Sequence, residues 1–168
     1  TYLNKISIPL IDIYAINNKK LKKIISSCNR YMLDLYVFET TTDIGIPSFL
    51  SILIDKTGIG PAVSCGLKAG FRNVETIASS IEEALTARIW TRSKLYRHRH
   101  KRTRNDNFSK ISTPLKRAFF WSYPDRIKFL DFLLYQKPNK PSFISFKGSY
   151  KEELNNVIDL LKEKGYQV

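Results

Sequence analysis

The 168-residue chain reads as an α+β fold, a mixed β-sheet packed with helices. Three observations predict it. Three strand-like runs follow one another between residues 33 and 69. Segments with helical periodicity flank them on both sides, and 43% of the residues are apolar, enough for a real core. No internal repeat and no domain boundary stands out, so an α/β arrangement is the nearest variant of this class.

The elements follow in order. Asn17 or Asn18 can cap a helix over Lys19 to Arg30, with Leu21, Ile24 and Ile25 on one face. Leu33 to Thr40 alternates, placing Leu33, Leu35 and Val37 on one side and Asp34, Tyr36 and Phe38 on the other. Ile46 to Ile54 is almost continuously apolar, which predicts a strand buried on both faces. Pro61 to Ala69 is a third strand of small residues, entered through the loop Asp55 to Gly60. A helix capped by Asn73 runs from Val74 to Arg92, and a basic stretch continues to Arg104. Thr113-Pro114 and Ser122-Tyr-Pro-Asp125 each read as a cap followed by proline in a first helical turn, the second helix reaching Gln136. Residues 137–141 form a linker, 142–146 are extended, and Ser149 with Glu152 is a capping box for a helix ending at Gly165.

Composition narrows the function without choosing it. A net charge of +13 attracts nucleic acid, nucleotide phosphates, acidic partners or anionic membranes, and equally describes a lysine-rich solvated surface. Two cysteines, Cys28 and Cys65, are too few for a disulfide framework and read as buried or half-buried thiols of a reducing compartment. Cys65 has no neighbouring base to activate it. No signal peptide or membrane-length apolar run is visible, so a cytoplasmic protein with no membrane partner is expected. The chain opens without Met on a loop and closes on a strand-like Tyr-Gln-Val, which reads as a piece of a longer polypeptide.

Candidate chemistry concentrates on the helix at 74–92. At about 100° per residue, Ile77, Ile81, Ala84 and Arg88 share one narrow face, so a guanidinium lies in line with the core stripe and needs carboxylate or phosphate partners there. Glu75 and Glu82 lie nearly on one line, and Glu83 about 80° around. Such carboxylates can hold magnesium, or can simply be the acidic half of a solvated helix that complements its own dipole. Gly58-Ile-Gly60 lacks the spacing of a phosphate loop and reads as a turn. Tyr96 to Arg104 is densely basic, a candidate for nucleic-acid phosphates or a solvated loop; its His98 and His100 have no third ligand for a metal. Phe119, Phe120 and Trp121 read as core, since Ile127, Leu130, Leu133 and Leu134 continue the apolar supply.

The run from Thr41 to Arg92 resembles the central part of YcaO-family proteins. It carries an Asp-x-Gly-x-Pro segment, two strands and a helix reading Glu75-TIASSI-Glu82-Glu83-Ala84-Leu85-Thr86-Ala87-Arg88. The stretch Ile111 to Leu134 resembles the archaeal, thioamide-forming branch. The resemblance implies a YcaO-like fold, apparently incomplete, with residues 1–168 as the central and C-terminal portion of the domain. It implies ATP and magnesium as cofactors and phosphorylation of a peptide amide oxygen, followed by its replacement by sulfide. Glu75, Glu83 and Arg88 would contact nucleotide or phosphate, with Glu75 and Glu83 on magnesium. Implied partners are a peptide or protein substrate such as methyl-coenzyme M reductase, a TfuA-like protein, the rest of the domain and a further copy of the chain. Thr86 stands where the family has Gln, which puts one expected hydrogen bond in doubt. The N-terminal nucleotide-binding residues of the family are absent, so the piece is expected to be inactive alone. Three readings stay open beside thioamidation: an azoline-forming cyclodehydratase, a basic nucleic-acid-binding module, and a degenerate member that only docks substrate.

Overall fold

The computed structural model describes residues 5–97, 111, 113–141 and 146–167. The chain folds as α1 (Lys19–Arg30), β1 (Leu33–Glu39), β2 (Ser48–Asp55), β3 (Val63–Ala69), α2 (Asn73–Arg97), α3 (Pro114–Phe120), α4 (Asp131–Leu134) and α5 (Tyr150–Glu163). The α+β class holds. The sheet has the order β1-β2-β3, and it is antiparallel rather than mixed among the described residues. Short connections explain this: neighbours joined by a few residues can only return as hairpins, whereas a parallel pair needs a long crossover.

Local chemistry sets the helix starts. Asn18 accepts from the Leu21 amide, Thr113 from Lys116, and Ser149 with Glu152 completes both halves of a capping box. The Ser122–Asp125 cap does not form. The Ser122 hydroxyl donates instead to the Ala118 carbonyl at 2.7 Å, and residues Pro124–Leu130 wind as a 3-10 helix before the single turn of α4. The basic stretch after Arg92 is also helical as far as Arg97; His98, His100 and the rest of that segment lie outside the described residues, as does the extended segment at 142–145.

Both faces of the sheet are covered, as the apolar run of β2 requires. On one face Leu33, Val37, Phe49 and Leu53 pack against Leu21 and Ile25 of α1 and Ile77, Ile81 and Ala84 of α2. On the other, Phe38, Ile52, Ile54 and Val63 pack with Leu130 and Leu133, flanked by Trp121 and Ile127. Phe120 is buried, in keeping with a core role for the aromatic run. Small residues in β3 have a reason: a Cβ at Gly66 would meet the Ser80 carbonyl and the Ala84 amide of α2. The helix therefore lies directly on the strand, and a buried Ser51–Ser80 hydroxyl bond of 2.6 Å fixes it over β2. No helix among the described residues is long and apolar enough to cross a membrane.

Candidate functional site

The α2 stripe is as the helical period requires. Ile77, Ile81 and Ala84 are fully buried, and Arg88 continues the line with its side chain 15% exposed. A guanidinium so placed must be met by an acid, and it is. Asp55, the last residue of β2, is buried, and its Oδ2 accepts from Arg88 Nε at 3.1 Å and Nη2 at 2.5 Å. The other oxygen, Oδ1, accepts from the Thr57 amide at 2.8 Å and hydroxyl at 2.6 Å. Burial pushes the Asp55 carboxyl up, but the bonds from Thr57 and Arg88 outweigh it and hold the group below its ordinary range. Gly60 closes the turn over this pair. A Cβ there would lie 2.6 Å from Asp55 Oδ2 and 2.9 Å from Arg88 Nη2, so no side chain fits. Gly58 has φ +72, which only glycine adopts at little cost. The turn at 58–60 is thus a turn, but one that abuts the arginine.

The two expected magnesium ligands sit differently. Glu83 is exposed and faces Lys68 of β3 at 3.6 Å. It lies five residues before Arg88, roughly 7 Å along the axis. Glu75 is in the first turn of α2, roughly 12 Å before Glu83, and lines two open clefts of about 240 and 460 Å³ with Arg72. Glu83 and Arg88 line neither of these. A single ion would need both side chains stretched toward each other, and no group of three metal-ligating side chains is found among the described residues. Magnesium nevertheless binds through one or two carboxylates and completes its shell with water and phosphate oxygens, so a single glutamate, Glu83 being the nearer to Arg88 along the axis, suits it better than the pair does. Glu82 is paired with Lys20 at 2.9 Å. Thr86 donates within the helix to the Glu82 carbonyl at 2.9 Å, so its hydroxyl is engaged where the family glutamine would reach out.

Cys65 is exposed, not packed away as expected, although it shares a sheet face with the buried Ile52 and Val63. Atoms crowded around the sulfur and the Glu83 carboxylate push its thiol up, away from a nucleophile's range. Two residues escaped the sequence reading. Asp55 was legible only as a loop acid; the signal was an Asp-x-Thr-Gly run directly after a buried strand, a pattern that fixes its carboxylate by local bonds. Arg72 was not singled out, yet it donates to Glu153 at 3.0 Å and to the Gly148 carbonyl at 2.6 Å, and stacks 4.6 Å over the Tyr150 ring. It is the anchor of α5.

The whole chain, residues 1–168, matches the family described as YcaO cyclodehydratase, ATP- and magnesium-binding. The chain belongs to the YcaO family. Its fold is that of solved YcaO-type structures. A heterocyclase in complex with substrate and cofactor aligns with TM-score 0.69 at 14% identity, over 96% of this chain and 20% of that one. The heterocyclase TruD aligns with TM-score 0.54 at 16% identity over the same shares. The Escherichia coli microcin synthetase McbBCD complex aligns with TM-score 0.55 at 14% identity, over 89% of this chain and 38% of that one. The YcaO chain described here therefore spans about a fifth of the length of the two heterocyclases. No curated protein matches it.

Proposed function

We propose that this chain is the central and C-terminal part of an ATP- and magnesium-dependent YcaO-type enzyme that activates a peptide backbone amide. The observation that carries the reading is the match over residues 1–168 to an ATP- and magnesium-binding family, joined to an arginine held at the edge of the core by Asp55. In the proposed reaction the γ-phosphoryl group of ATP moves to the amide oxygen and ADP leaves. Sulfide then adds to the carbon, and phosphate departs with the former amide oxygen and the proton of the sulfide, leaving a thioamide. A side-chain thiol or hydroxyl adding at the same step would give an azoline instead. Arg88 would contact phosphate, and Glu83, with Glu75 as second candidate, would hold magnesium. Magnesium would neutralise charge on the transferring group; the chain's own part is to fix the phosphates against Arg88. The other half of the nucleotide site would come from the remainder of the domain. A TfuA-like partner, a glycine of methyl-coenzyme M reductase as substrate, self-association and a cytoplasmic setting complete the proposal.

The +13 charge favours one rival, a nucleic-acid-binding module centred on Tyr96 to Arg104. The two separate cleanly in the intact protein supplied with magnesium ATP, sulfide and the candidate peptide. Glu83→Gln should abolish the sulfur-for-oxygen mass change and spare salt-sensitive polyanion binding. Neutralising Arg99, Lys101 and Arg102 should do the reverse. If Glu83→Gln leaves ATP-dependent modification intact, the enzyme reading of this helix fails.

A further inference from the structure

A guanidinium has five N–H donors in a rigid planar fork. At Arg88 the Nε and Nη2 edge is spent on a single oxygen of Asp55, at 3.1 and 2.5 Å. Nη1 makes no hydrogen bond among the described residues, although the side chain is 15% exposed and so reachable from solvent. The acid itself cannot swing away. Its second oxygen is held twice by Thr57, at 2.8 and 2.6 Å, and its side chain is only 2% exposed. Gly60 leaves no room for the pair to shift toward the turn. The fork is therefore fixed in its own plane from one side, with both N–H groups of Nη1 and the second of Nη2 left over.

We propose that Asp55 is a positioning residue that locks Arg88 so that its free end, led by Nη1, is presented to a phosphate oxygen of the nucleotide. This rests on the reading of Arg88 as a phosphate contact. The pair as a whole carries almost no net charge, so its selectivity comes from hydrogen-bond direction more than from long-range attraction. An oxyanion that can sit in the guanidinium plane fits best; an uncharged nucleoside offers only neutral acceptors, without the charge assistance of a phosphate oxygen. Thr57 belongs to the same device, since it holds the holder.

The test is competition binding to the intact protein, with magnesium ATP and adenosine as probes and Asp55→Asn, Thr57→Ala and Arg88→Lys as variants. Asp55→Asn and Arg88→Lys should each weaken magnesium ATP by about tenfold or more, and Thr57→Ala by a few-fold, with adenosine affinity unchanged. If Arg88→Lys weakens the triphosphate and Asp55→Asn does not, the positioning role is overturned and the phosphate contact stands. If Arg88→Lys binds magnesium ATP like the wild type, the phosphate contact falls and the positioning role with it. Equal loss for both probes in Asp55→Asn would mark a general structural defect and also overturn the proposal. Should Asp55→Asn fail to fold, Thr57→Ala decides by the same split between triphosphate and nucleoside.

Discussion

One arginine and one aspartate, 33 residues apart in sequence, define the chemistry available on α2. Arg88 was legible because a 3.6-residue period places it on the stripe of Ile77, Ile81 and Ala84, and a cation on that stripe demands a partner. The partner was not legible. Only the antiparallel register, which brings the end of β2 beneath α2, delivers Asp55 to it. The same pair sets a pH dependence. The folded-state pKa of Asp55 is lowered, so its contribution to stability is present above the ordinary aspartate value and is lost as pH falls through the folded one. Denaturant midpoints measured from about pH 7 down to about pH 2 should drop more steeply for the wild type than for Asp55→Asn. Parallel curves would show that the ion pair contributes nothing to folding. At neutral pH the variant should lose about 3 kcal/mol, in the range for breaking a mostly buried pair.

At the scale of elements, the helices that announced themselves did so through their caps. Asn18, Thr113 and Ser149 all accept the amides expected of them. The Ser122 start failed because a hydroxyl four residues after the Ala118 carbonyl can bond backward as readily as forward. That competition is invisible in a sequence pattern. Helix α5 was easy to place and hard to dock. None of its residues is buried, and Leu154 remains 58% exposed. Its main hold on the domain is the Arg72 side chain, which reaches Glu153, the Gly148 carbonyl and the Tyr150 ring together, helped by the Phe71 amide on Glu153. Arg72→Ala should therefore release α5 without melting the sheet: limited proteolysis after residue 140 should speed up several-fold, while the thermal midpoint of the core moves little. Unchanged cleavage would mean that α5 is fastened by something else.

Across the whole molecule, the order of motifs carried more than any one of them. A buried two-faced strand, a small-residue strand and an acidic helix ending in an inward arginine were each unremarkable; in sequence they were enough for the family. The antiparallel sheet was not foreseen, because strand direction depends on connection length and not on face pattern. The two acids were also weak as a pair, since Glu75 and Glu83 lie about 80° apart around the helix and roughly 12 Å apart along its axis. The fold was thus easier to read than the site, which depends on contacts between distant segments. What matters most is whether the Arg88 end of α2 meets the triphosphate. The direct measurement is a crystal structure of the intact protein with magnesium and a non-hydrolysable ATP analogue. Expected is a phosphate oxygen within hydrogen-bonding distance of Arg88 Nη1, with Asp55 still clamping the other edge and the Glu83 carboxylate on the ion. A nucleotide bound elsewhere, with Glu83 still facing Lys68 and nothing at Arg88 but Asp55, would contradict it.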